Sequence, residues 1–205
     1  MKRVAVLDYE AGNVRSAKHG LERAGAEAFI TSDPGVASES DALVIPGVGH
    51  FSTCIVNLRR AGLEQLVRDW IVADRPVYGI CVGMQLLYES SEEGDEPGLG
   101  LLPGTVRRLP DGFVVPHMGW DVVEPTDSGA ADQLLDGVAG ERCYFVHSYY
   151  ADPADVGHVL ASCSYADQTF PCLVREGSVT GSQFHPEKSS TVGLRLLANW
   201  LSSLR

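Results

Sequence analysis

The chain has 205 residues, 44% of them hydrophobic and 21% charged, with a formal net charge of −11; a chain this long buries roughly 70% of its unfolded surface around one core, so a single domain over residues 1–205 is expected. The acidic balance argues against work on phosphate backbones, because non-specific nucleic-acid affinity rests on clustered Lys and Arg, and no apolar stretch approaches the roughly 20 residues of a membrane span. The five cysteines, Cys54, Cys81, Cys143, Cys163 and Cys172, are scattered, odd in number and without a CxxC pair, which suggests neither a disulfide framework nor a zinc site; no metal and no cofactor is expected, and a reducing cytoplasm is the expected compartment.

The start MKRVAVLDY has too short an apolar run for a signal peptide, so Arg3 to Leu7 reads as a first strand. Asn13 is placed to cap a helix whose Val14, Ala17, Leu21 and Ala24 share one face, with Gly25 as its stop. Glu27 to Ile30 and Ala42 to Ile45 are short buried runs, the second leading into PGVGHF. Helices are expected over Ile55 to Arg60 and Leu63 to Ala73. Such alternation of apolar strands with helices predicts a parallel sheet covered on both faces.

Pro76 opens a further buried run, Val77 to Ile80, and helical spacing resumes through Met84, Leu86, Leu87 and Tyr88. Cys81 therefore falls at a strand-to-helix junction. Beyond Gly94 the pattern changes: Thr105 to Leu109, Val114 to Val123, Tyr144 to Tyr150, Val159 to Tyr165 and Cys172 to Phe184 read as strands with short turns, and Thr191 to Leu204 as a final amphipathic helix. The expected fold class is α/β, an open, mostly parallel central sheet with flanking helices and an antiparallel extension in the C-terminal half.

Three stretches carry chemistry. GICVG has the small-x-nucleophile-x-small form of a nucleophile elbow, with Cys81 in the middle and a helix N-terminus, where partial positive charge gathers, behind it. GSQFHPEKS offers a base: Pro186 biases His185 to extended backbone, and residues two apart then project to the same side, so Glu187 can bond one imidazole nitrogen while the other faces the thiol. PGVG follows the run Ala42 to Ile45, and loops at the carboxyl ends of parallel strands gather at one edge. A backbone N–H from Gly47, Val48 or Gly49 can there join that of Val82 as an oxyanion donor. Each stretch alone is weak: a buried structural cysteine, a loop histidine and a simple turn are the plain alternatives.

Taken in order, DYEAGNVRS, IPGVGHF, YGICVGMQLLYESSEEG, GLGLLPG, VPHMGWD, YFVHSYY and GSQFHPEKS resemble the glutaminase subunits of imidazole glycerol phosphate synthase, which are class I, triad-type glutamine amidotransferases with a flavodoxin-like fold. The elbow and HPE are common to the class, whereas PHMGW, FVHSYY and HPEKS with PGVG point to this subunit. The resemblance implies glutamine hydrolysis, with ammonia passed to a (β/α)₈ barrel cyclase subunit in a heterodimer of histidine biosynthesis. It implies Cys81 as nucleophile, His185 as base and acid and Glu187 as its orienter. By the same carry-over Gln85, Glu93 and the backbone around His147, Ser148 and Tyr149 hold glutamine, and Trp120, Tyr144 and Lys188 lie near the synthase interface. Glu10, His50 and Asp121 depart from the usual residues of that pattern. A class I glutaminase of anthranilate, GMP or pyridoxal phosphate synthesis, or a non-catalytic docking subunit or thiol sensor, are the alternatives.

Overall fold

A computed structural model describes residues 1–112 and 114–204. The strands are β1 (Arg3–Leu7), β2 (Glu27–Thr31), β3 (Ala42–Gly47), β4 (Val77–Cys81), β5 (Ser90–Ser91), β6 (Gly104–Arg108), β7 (His117–Val122), β8 (Glu124–Pro125), β9 (Arg142–His147), β10 (Tyr149–Pro153), β11 (Val159–Tyr165), β12 (Gln168–Glu176) and β13 (Val179–Ser182). The helices are α1 (Val14–Arg23), α2 (Pro34–Ser38), α3 (Phe51–Arg60), α4 (Leu63–Val72), α5 (Val82–Gln85) and α6 (Ser190–Ser203).

The central sheet has eight strands in the order β2-β1-β3-β4-β13-β12-β11-β8. From β2 to β13 the pairing is parallel, and from β12 outward it is antiparallel. This is the expected α/β class with its antiparallel extension. Strands β3 and β4 are buried at every position, as continuous apolar runs covered on both faces must be. Two small sheets, β10-β6-β5 and β7-β9, are added in the second half.

Several boundaries differ from the sequence expectation, each for a local reason. The helix after PGVG begins at Phe51, four residues before Ile55, because the His50 ring nitrogen and the Glu93 carboxylate accept the first free N–H groups, those of Ser52 and Phe51. Helix α5 stops at Gln85. The backbone carbonyls that would extend it are taken instead by Leu99 on Leu86, Leu101 and Leu102 on Leu87, and Gly100 on Tyr88. Asp33 side-chain caps α2, a helix the apolar spacing does not announce. Asn13 precedes α1 but makes no side-chain cap; its backbone is left-handed, at φ 61°. Tyr144 to Tyr150 divides at Ser148 into β9 and β10, and Cys172 to Phe184 folds back after Glu176, so that β13 returns parallel to β4. The stretch from Val114 becomes strand only at His117. Among the described residues no helix is long and apolar enough to cross a membrane.

One close approach sets the sheet's working edge. α5 packs so tightly on β3 that a Cβ at Gly83 would fall on the Ile45 carbonyl. Gly83→Ala is expected to destabilise the chain by about 3 kcal/mol or more, since the obstacle is backbone that cannot give way. Gly119→Ala meets open space and should stay within about 0.5 kcal/mol of wild type; urea unfolding of both variants checks the pair.

Candidate active site

Adjacency in the sheet brings the three motifs together. β3, β4 and β13 are parallel neighbours, with Gly47 directly opposite Cys81 and Ser182 opposite Ile80. Their carboxyl ends therefore place PGVG, the elbow and the segment leading to His185 along one edge, where loops of an open parallel sheet form a site. Cys81 itself has φ 55° and ψ −112°, a conformation costing a non-glycine residue of order 1–3 kcal/mol and held by surrounding packing. It is the last residue of β4 and the first before α5, so the sharp turn aims its sulfur away from the strand.

His185 and Glu187 lie as their spacing predicts. The His185 Nδ1–H donates to Glu187 Oε1 at 2.8 Å, and both side chains are fully buried. With Nδ1 so engaged, Nε2 is the nitrogen left for the thiol; it has no hydrogen-bond partner among the described residues. Burial works against a charged His185 ring, but the Cys81 sulfur and then Glu187 outweigh it and raise the imidazolium to about 10. The four-residue α5 has little macrodipole of its own, so His185 is the principal positive group at the sulfur. The other four cysteines are buried. Burial pushes the thiols of Cys54, Cys143 and Cys163 up to about 12 and that of Cys172 well up.

Beside Cys81 lies a cavity of about 230 Å³ whose walls include Val48, Gly49, Val82, Gln85, Glu93, His147, Ser148 and Tyr149. That is below the roughly 300 Å³ at which drug-sized pockets begin, the scale of a single amino acid. Gln85 lines it and is fixed there, Nε2 donating to the Tyr149 carbonyl at 2.8 Å and to Gln183 Oε1 at 3.0 Å. Glu93 accepts from the Phe51 N–H at 2.7 Å, so the residue that reaches the cavity also anchors α3. Gly47 is not in the wall; it backs the elbow against Val82. The Val48 N–H donates to the Ala11 carbonyl at 3.2 Å, away from Cys81, and Gly49 at φ 103° follows it.

Trp120, Tyr144 and Lys188 do not line the cavity. Trp120 is exposed and meets Tyr144 edge to face at 6.1 Å. Tyr144 in turn is tied to the segment that carries His185, its carbonyl accepting from the His185 N–H and its N–H donating to Ser189 Oγ. Lys188 is exposed beside them. Among the described residues no group of three or more His, Cys, Asp or Glu could hold a metal.

One residue at the site has a use that its sequence context does not show. Asn13, expected as a helix cap, donates from Nδ2 to the same Glu187 Oε1 that His185 uses, at 2.6 Å. Helical spacing could not reveal this, because 174 residues separate the two side chains.

A fold of this topology with a Cys-His-Glu constellation at the strand ends defines a class. The description "Glutamine amidotransferase class-I" matches residues 5–204, and the chain belongs to that family. Within it the chain groups with the imidazole glycerol phosphate synthase HisH subunits. It is 43% identical over 206 residues to that of Nostoc punctiforme, covering 98% of this chain and 96% of the relative. It is 46% identical over 202 residues to that of Symbiobacterium thermophilum, covering 98% and 93%. Among solved structures it is similar to a glutamine amidotransferase at 28% identity and a TM-score of 0.76, covering 97% of each chain. It also shares the fold of PurLQS from Thermotoga maritima at 20% identity and a TM-score of 0.73, each covered in full.

The buried histidines leave a signature in acid. Burial holds His147 neutral, its imidazolium lowered to about 3, and also lowers that of His158. The unfolded chain therefore binds protons there that the native chain does not, so these groups make stability fall as pH drops below about 6.5. For His147 alone the slope is about 1.4 kcal/mol per pH unit, continuing towards pH 3. Urea unfolding from neutral to acid pH should show a shallower fall in His147→Gln than in wild type.

Proposed function

We propose that this chain hydrolyses glutamine at Cys81 and delivers the ammonia to the synthase subunit it docks on, a (β/α)₈ barrel cyclase, in a cytoplasmic heterodimer of histidine biosynthesis. Residues 1–205 act as one amidotransferase domain. The observation that carries this reading is the Cys81 elbow, set against a buried His185–Glu187 pair and opening on a cavity of amino-acid size.

In this mechanism the Cys81 sulfur attacks the side-chain amide carbon of glutamine, and the oxyanion is held by the Val82 N–H and by an N–H of the PGVG loop. His185 gives its Nε2 proton to the departing nitrogen, so ammonia leaves and a glutamyl thioester remains. Water, losing a proton to His185, then releases glutamate and the thiol. Glu187 stabilises the ring in its charged form and fixes its orientation. Asn13 is a positioning residue that donates to the same carboxylate oxygen as His185. Gln85, Glu93 and the wall from His147 to Tyr149 bind the amino acid, and Trp120, Tyr144 and Lys188 meet the partner. Ammonia must stay unprotonated to attack an acceptor, and a partner covering the site keeps water from it.

With the Val48 N–H bonded to Ala11, one oxyanion donor is turned away in this state. That N–H lies in the Gly47–Val48 peptide, and with Gly47 on one side of it and Gly49 next after Val48 the segment can flip at low steric cost. Loss of one such donor typically costs a hundredfold or more in rate; the isolated chain should therefore hydrolyse glutamine at least about a hundredfold more slowly than the assembly bound to its acceptor. Equal rates would remove the switch. In the assembly Cys81→Ala should abolish glutamine-dependent synthesis and spare synthesis from added ammonia, while loss of both would make Cys81 structural. Asn13→Ala should lower kcat about tenfold, with KM for glutamine little changed, as expected for a residue acting through the triad.

A further inference from the structure

A second hydrogen-bonded chain of side chains runs from the cavity wall to the surface. His147 Nδ1 lies 2.9 Å from the Tyr149 carbonyl, which can only accept, so this nitrogen carries the hydrogen. His147 is held neutral by burial, and its Nε2 is therefore an acceptor. His117 Nδ1, 3.0 Å away, must donate to it. The remaining His117 nitrogen, Nε2, then faces Asp121 Oδ2 at 2.7 Å. A neutral His117 with its hydrogen on Nδ1, beside an ionised Asp121, would set two acceptors against each other at hydrogen-bond distance. One more proton has to occupy that contact.

The surroundings suit a retained proton. The His117 ring is stacked between Tyr165, at 4.0 Å and 21°, and Phe145, at 5.1 Å and 23°, and aromatic faces attract a cation. Burial is the larger influence on the His117 ring and lowers it, with the hydrogen bond and charge of Asp121 opposing; the extra proton follows from the three contacts, each of which needs a hydrogen where two neutral rings supply two. The other titratable or charged groups here are His147 and, beyond it, His185; Arg142 of β9, 3.6 Å from Asp121; and Tyr165 and Cys163 of β11. The Cys163 thiol, at about 12, stays neutral.

We propose that Asp121 and His117 are positioning residues for glutamine binding: they hold one proton on the Oδ2–Nε2 contact, and through it fix the tautomer of His147 and the place of the Tyr149 carbonyl. That carbonyl also receives Gln85 Nε2 and forms part of the cavity wall beside Cys81. The proton moves to solvent as the pH rises, and the contact then becomes repulsive. The relay opens at its outer end, and the wall loses its register. This inference rests on the glutaminase reading for its kinetic consequence, but not for its proton.

The test uses Asp121→Asn and Asp121→Ala in the chain assembled with its synthase partner. The amide of Asp121→Asn supplies an N–H to a neutral His117 and needs no extra proton, whereas Asp121→Ala leaves Nε2 unpartnered. Through the range in which histidine titrates, about pH 5 to pH 8, the wild-type KM for glutamine should rise with pH while kcat follows a separate profile. Asp121→Asn should flatten the KM profile. Asp121→Ala should raise KM about tenfold at neutral pH, the size of one lost hydrogen bond. Nitrogen and carboxyl NMR at neutral pH should find either both His117 nitrogens protonated or Asp121 protonated. A neutral His117 beside an ionised Asp121 would overturn the proposal, as would identical KM profiles for wild type and Asp121→Asn. An assembly that never hydrolyses glutamine would sink the functional reading and leave the NMR result to judge the relay.

Discussion

The turn at Cys81 is the constraint from which the rest follows. A residue with a side chain is held at φ 55° because the strand before it and the helix after it are fixed by packing, α5 lying so close on β3 that only glycine fits at position 83. The same closeness sets Gly47 opposite Cys81 in the register of β3 and β4. The peptide after Gly47 is therefore necessarily near the sulfur. On the other side of β4, β13 ends level with the elbow, and the chain needs only Gln183 and Phe184 to bring His185 over it. The proposed nucleophile, base and oxyanion loop thus come from three adjacent strand ends, and their geometry is a property of sheet order.

Buried charge is then managed by local pairing. His185 and Glu187 are both removed from water, and each offsets the other's desolvation within a short hydrogen bond. Asn13 extends that pair by a neutral donor from the loop between β1 and α1. The same loop, through the Ala11 carbonyl, holds the Val48 N–H, and Tyr9 donates its hydroxyl to the Pro46 carbonyl. A single loop is therefore in contact with the Glu187 carboxylate and with the Val48 peptide. Its backbone is unusual, with positive φ at Glu10, Gly12 and Asn13, and it sits beside the Val48 peptide, whose orientation changes in the proposed switch.

What was legible in the sequence follows a simple physical division. Features encoded in a few consecutive residues were readable: the elbow GICVG, the two-residue spacing of His185 and Glu187 and the buried runs of β3 and β4 all depend on local backbone geometry. Features made by long-range pairing were not. Asn13 resembles a cap because its neighbours in sequence form a helix, but its side chain is used by a carboxylate from the other end of the chain. The early stop of α5 was hidden because Leu86 to Tyr88 keep helical spacing, yet their carbonyls are claimed by residues 99–102. The histidine relay was equally invisible, since PHMGW and FVHSYY meet only through the antiparallel pairing of β7 and β9, which sets His117 opposite His147.

The central claim is that the sulfur at the elbow is the atom that takes the glutamyl group. It is tested most directly by acid-quenching the assembled enzyme during glutamine turnover and mapping covalent adducts by mass spectrometry. The account predicts a glutamyl thioester on the peptide containing Cys81 and on none containing Cys54, Cys143, Cys163 or Cys172. An adduct on another residue, or steady turnover with Cys81 replaced by alanine, would contradict it.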